Sequence, residues 1–189
     1  MSLLIKNAIR IIFVMTSRNR AHKLALRYLD QYMDFAKSLK PEDGSRPIKV
    51  PPMRGVDEDM REWSFFMILE HNAIVCNTIS ATIDQLVTDV PLNGLAAIDP
   101  KRDVMPTASA GQEQIRRLEK SVYDHLSLTK GLTRLRGTTT SPHPLFGDFD
   151  AHKWNCMFSF HLMVHLKQAA YVFREVMMNH TTCIGGSGT

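Results

Sequence analysis

Apolar and polar residues alternate along this chain with the period of a helix, in four long blocks separated by connections rich in proline and glycine. The first block is predicted from about Arg20 to Leu39, with Ala25, Tyr28, Leu29, Tyr32, Phe35, Ala36 and Leu39 on one stripe. Pro41 and Glu42-Asp43-Gly44-Ser45 stop it, and Pro47, Pro51 and Pro52 mark a loop up to residue 56. The second block is predicted from about Asp57 to Val87. Asp57, Glu58 and Asp59 suit the positive end of its dipole, and Trp63, Met67, His71, Ile74 and Leu86 line its apolar face. A long connection with Pro91, Gly94, Pro100 and Pro106 follows, enough chain to cover an opening or to cross a bundle. Ser109-Ala110-Gly111-Gln112 has the form of a capping box and opens the third block, which carries Ile115, Leu118, Val122, His125 and Leu126. Beyond Gly131 lies a second loop with the turn His143-Pro144-Leu145-Phe146-Gly147. Asp150 is then expected to cap a fourth helix running to about Met178. Strand alternation is essentially absent.

Four amphipathic helices joined by long connections predict an all-α four-helix bundle. The length fits a single domain over residues 1–180, with a flexible tail over 181–189. The start, Leu3 to Met15, is apolar enough to suggest a leader. Lys6 and Arg10 interrupt it, however, no small-residue cleavage site follows, and it is too short to cross a bilayer. Residues 1–19 are therefore expected to be an extension, or the start of the first helix, packed on the body or on a second copy. No membrane span is expected elsewhere.

Composition changes this picture little. The net charge is +4, and the basic residues are scattered apart from Arg18, Arg20 and Lys23, which read as a solvated helix face rather than a nucleic-acid footprint. The three cysteines, Cys76, Cys156 and Cys183, form no C-x-x-C pair, which favours a reducing, cytoplasmic setting over a disulfide framework.

The candidate chemistry lies in the histidines. His161 and His165 are four residues apart on the apolar stripe of the fourth helix, with Trp154, Phe158, Gln168 and Val172. Imidazoles at that spacing share one helix face, about 6 Å apart along the axis. His71 lies on the stripe of the second helix, and a third nitrogen from a facing helix would complete a metal site with open coordination positions. The alternative is a set of histidines satisfied by protein hydrogen bonds, since eight histidines in 189 residues make chance pairs common. Placement favours the metal, because unpaired imidazoles in an apolar core are costly. Leu162 and Val164 stand where zinc-peptidase motifs need glutamate, and the paired E-x-x-H motifs of a di-iron bundle are missing. Glu70 is the weak candidate for a proton carrier, with a surface salt bridge as its alternative. Asn72 and Gln168 read as bundle polar contacts more than as groups that hydrogen-bond a ligand or orient an imidazole, and His143 as a turn cap more than as a residue at the mouth of the site.

Two local patterns carry a family resemblance. One is Trp63 leading to Leu69-Glu70-His71-Asn72; the other is the His143–Gly147 turn leading to Trp154 and His161-x-x-x-His165. Together, over residues 20 to 178, the chain resembles the DinB/YfiT superfamily of metal-binding helical bundles. That resemblance implies an up-down-down-up bundle, often a homodimer, holding one divalent ion (zinc, nickel or iron) through His71, His161 and His165. It also implies a small-molecule substrate and, for some relatives, S-transfer or isomerisation with a low-molecular-weight thiol. The competing expectation is a non-catalytic bundle acting in stress response or as an interaction protein, with a metal-dependent hydrolase third.

Overall fold

The computed structural model describes residues 3–88 and 103–184. In chain order the elements are α1 (Leu3–Met15), α2 (Arg18–Ser38), the short α3 (Pro41–Gly44), a 3-10 turn (Glu58–Met60), α4 (Phe65–Thr88), α5 (Glu113–Gly131), strands β1 (Ser141–His143) and β2 (Gly147–Phe149), and α6 (Ala151–Ile184). The fold is an all-α bundle of α2, α4, α5 and α6, as the pattern predicts, with α1 added along α6. Most of the connection predicted over 91–108, and the tail from residue 185, lie outside the described residues.

Packing contacts fix the topology. Helices α2 and α4 each pack against both α5 and α6, so α2 stands diagonal to α4, and α5 diagonal to α6. The pairs Glu70–Arg117 and Ser80–His125 run in the same order on α4 and α5, which are therefore parallel. Tyr32–Leu162 and Phe35–Phe173 make α2 and α6 parallel in the same way. On α6, His161 lies level with His71 of α4, whereas Asn155 lies level with the His125–Ser80 pair, so α4 and α6 are antiparallel. This is an up-down-down-up arrangement. The two diagonal steps, α2 to α4 and α5 to α6, are why the connections at 39–64 and 132–150 are long: each must cross the end of the bundle.

The helix starts differ from the sequence reading in two places. Helix α4 begins at Phe65, not near Asp57. The Val50 amide donates to the Arg61 carbonyl (2.8 Å) and the Ile48 amide to that of Trp63 (3.4 Å), so these carbonyls serve an extended segment and not a helix. Ser64 then caps the helix, its Oγ accepting from the Met67 amide at 3.2 Å. The acidic run falls instead on the 3-10 turn. Similarly, Ser109–Gln112 does not form a capping box: α5 starts at Glu113, whose own carboxylate turns back to accept from the Gly111 amide at 3.0 Å. Asp150 does cap α6 as expected, Oδ1 accepting from the Lys153 amide at 2.9 Å. Helix α6 continues past Met178 to Ile184.

A small hairpin is the third correction. Around the turn at residues 143–147, Ser141 pairs with Phe149 and His143 with Gly147, and Gly147 adopts φ 75°. Three-residue strands, one containing proline, are too short to show alternation. Phe149 from this hairpin and Phe13 from α1 meet edge-to-face, with centroids 5.8 Å apart, and Phe13 meets Phe160 of α6 at 5.7 Å. The described part of the predicted extension is thus a separate helix, α1, seated on the body through Phe13, which is 3% exposed, while Arg18 and Asn19 already belong to α2.

Buried polar groups tie the helices. The Tyr32 hydroxyl, with no solvent exposure, donates to the Leu162 carbonyl (3.0 Å) and accepts from Asn72 Nδ2 (3.3 Å), linking α2, α6 and α4. His125 of α5 lies between Ser80 Oγ (3.0 Å) and Asn155 Oδ1 (3.1 Å) and stacks on Phe158 at a centroid distance of 3.6 Å. Burial pushes its pKa down to about 3 from an ordinary 6.5. Below pH 6.5 the unfolded chain gains a proton that the folded one refuses, so stability declines as pH falls towards 3, by about 1.4 kcal/mol per pH unit for each such group. Denaturant titrations of wild type and His125→Gln over this range should show the variant with a slope shallower by about one proton.

Candidate metal centre

The three histidines singled out by the sequence converge. His71 stands in the second turn of α4, and His161 and His165 share the face of α6 turned towards it. One ring nitrogen from each lies within 4.8 Å of the other two, close enough for one ion to reach all three after small ring rotations. Ring centroids are 5.1 Å apart for His71 and His161, 4.5 Å for His71 and His165, and 4.6 Å for His161 and His165. Trp63 covers the group, its ring 4.9 Å from His71 and 6.3 Å from His165.

Two of the imidazoles are oriented by carbonyl oxygens. The Nδ1–H of His71 donates to the Val104 carbonyl at 2.7 Å, and that of His165 to Gln168 Oε1 at 2.9 Å. Donation from Nδ1 leaves the lone pair on Nε2, the tautomer a ligand needs. Gln168 is in turn held by the Met60 carbonyl, to which its Nε2 donates at 2.7 Å. The Nε2 atoms of His71 and His161 are buried with no hydrogen-bond partner. Orphaned polar atoms at the focus of a three-histidine cluster are what a cation would satisfy, so the donor set fits a divalent ion.

The electrostatics agree with ligation. Burial lowers the pKa of all three. It brings His165 to about 3, with positive charge on His71 adding to the effect, and it holds His161 well below the usual imidazole range, with His165, His71 and His143 as further repulsive neighbours. All three are therefore neutral at pH 7 and present lone pairs without first releasing a proton.

The other sequence candidates divide. Glu70 is not a surface residue: it is 6% exposed, and Oε2 accepts from both the amide (2.7 Å) and the hydroxyl (3.0 Å) of Thr107, while Arg117 approaches Oε1 at 3.5 Å. Its function is to moor the segment that brings the Val104 carbonyl to His71. His143 caps its turn, Nδ1 accepting from the Leu145 amide at 3.1 Å. Asn72 makes bundle contacts, whereas Gln168 orients a histidine. Sequence reasoning missed Val104 and Met60, which act through main-chain carbonyls that carry no residue-type signal, and the polar network around His125.

No protein-family model and no curated protein sequence matches this chain. Among solved structures it is similar to TT2238, described as a four-helix bundle protein. The TM-score is 0.54 at 17% identity, covering 82% of this chain and 99% of that one. That similarity supports the bundle and carries no function. If Gln168 sets the His165 tautomer, Gln168→Leu should bind zinc about 10- to 100-fold more weakly than wild type in competition with a chromogenic chelator, with helix content unchanged.

Proposed function

We propose that this protein is a metal-binding bundle of the DinB/YfiT type, holding one divalent ion (zinc, nickel or iron) through His71, His161 and His165. The observation that carries the reading is the pair of buried, unpartnered Nε2 atoms on histidines whose third neighbour is already oriented by Gln168. A divalent ion held by three neutral imidazoles supplies a Lewis acid that lowers the pKa of a coordinating thiol or water. The chain's own contribution is to bind and orient. Val104 and Gln168 fix the ligand tautomers, Trp63 screens the rings, and Glu70 anchors the strap carrying Val104. The chemistry proposed is S-transfer or thiol-assisted isomerisation of a small molecule with a low-molecular-weight thiol, in a cytoplasmic protein that forms homodimers. Soft thiolate suits an imidazole-bound borderline ion, and Glu70, engaged with Thr107, is not free to act as a hydrolytic base.

A specific observation favours a second reading. His71 and His165 are each only 2% exposed and lie beside the Trp63 ring, while His161 is partly buried. A closed surround suits a bundle in which the ion is structural, or one acting as an interaction protein. Elemental analysis of protein purified without chelators should find close to one divalent ion per chain, lost in His161→Ala/His165→Ala. Absence of metal even after reloading would overturn the site. Full loading with no thiol binding, followed by calorimetry with small thiols, would leave the ion and remove the transferase reading.

A further inference from the structure

Three guanidiniums gather around one cavity with no acid among them. Arg18, the first residue of α2, and Arg134 and Arg136, in the connection before the hairpin, line a space of about 500 Å³. Ser17, Thr133, Leu135 and His152 complete its wall, and no carboxylate takes part. Among the described residues none of the three arginines forms an ion pair. The acid whose charge reaches His152 is Asp150, which lies outside this wall and caps α6, its Oδ1 accepting from the Lys153 amide.

The cluster is held in place by neutral groups. Arg18 Nη1 donates to the Leu132 carbonyl and Arg136 Nη2 to the Val14 carbonyl, both at 2.7 Å. The same Arg136 nitrogen lies 2.9 Å from His152 Nε2. His152 is 4% exposed, and burial followed by the Arg136 charge lowers its pKa, so the neutral ring accepts from the guanidinium. The Phe13 carbonyl, 3.1 Å from that Nε2, takes the Cys156 thiol proton instead, at 3.6 Å. These contacts occupy one nitrogen of Arg18 and one of Arg136. The remaining N–H groups of both, and all those of Arg134, meet no protein acceptor among the described residues. Ser17 Oγ accepts from the Arg20 amide at 3.2 Å, which leaves its own proton to donate.

Like charges fixed around one space repel, and an anion between them removes that cost. The dipoles add to the demand, because α2 and α6 both start at this wall with their positive ends. The chemistry of the donors selects the anion. A carboxylate offers two oxygens in one plane, whereas a phosphate offers three in different directions and close to two charges at pH 7, which suits three separate guanidinium forks and two hydroxyls. Arg134 and Arg136 are exposed, so the cavity is reached from solvent, and its volume falls in the range of about 300 to 1,000 Å³ of small-molecule sites. We propose that this cavity binds a phosphate-bearing small molecule, its phosphoryl oxygens taken by Arg18, Arg134 and Arg136 with the hydroxyls of Ser17 and Thr133. The inference is independent of the histidine centre.

The test is calorimetric titration of the full chain with inorganic phosphate, pyrophosphate and acetate, beside amide chemical shifts in the presence of pyrophosphate. Pyrophosphate is expected to bind once per chain, more tightly than acetate and more weakly as salt is raised. The shifts should centre on Ser17, Arg18, residues 133 to 136 and His152. Arg134→Gln removes the guanidinium that no main-chain oxygen holds, so it should weaken pyrophosphate binding about tenfold with the circular dichroism spectrum unchanged. Arg20→Gln, an exposed change on α2 outside the cavity, should leave binding as it is. No binding of phosphate or pyrophosphate, acetate binding as tightly, or equal losses in the two variants would overturn the proposal. So would shifts centred on His71, His161 and His165, which would assign the anion to the metal centre.

Discussion

Two acceptor oxygens, the main-chain carbonyl of Val104 and the amide oxygen of Gln168, determine which nitrogen of His71 and of His165 carries the proton. Everything proposed for the centre of this bundle depends on that choice. With Nδ1 donating outwards, Nε2 presents a lone pair to the space between α4 and α6, and burial keeps the rings neutral. Reversing either tautomer would turn an N–H towards the other histidines and leave a carbonyl without its donor.

The scaffold around this arrangement is built to hold it. Glu70, next to His71 in sequence, points away from the histidines and binds Thr107, so the segment bearing Val104 is moored to the same helix as the ring it orients. The segment before α4 is treated similarly. Its Met60 carbonyl accepts from Gln168, and Gly55 lies so close to α6 that a Cβ there would come within 2.8 Å of Val164, between the two paired histidines. Gly55 also adopts φ 83°, which side-chain-bearing residues rarely do. The connection before α4 and the segment before α5 thus both press on the centre from outside the bundle, the first because it makes the diagonal step from α2 to α4.

A second polar layer, around His125, Ser80 and Asn155, shows what a satisfied histidine looks like in the same core. Both of its ring nitrogens have protein partners and its ring stacks on Phe158. The contrast with the unpartnered Nε2 atoms of His71 and His161 is the physical ground for separating a structural histidine from a ligand.

Helical periodicity and proline placement were enough to read four bundle helices from the chain, and the stripe positions of His71, His161 and His165 were enough to select them, because side-chain period and residue type are local properties. The start of α4 was misread since the carbonyls of Arg61 and Trp63 are claimed by residues 48 and 50, a pairing across a loop that no local signal encodes. Glu70 reads as a surface acid until Thr107 and Arg117 are folded against it, and α1 reads as an apolar extension until the body takes only one of its faces. Which nitrogen is orphaned, which carbonyl orients it and which apolar stripe stays exposed are set by contacts between residues far apart in the chain. Only the packed structure decides them.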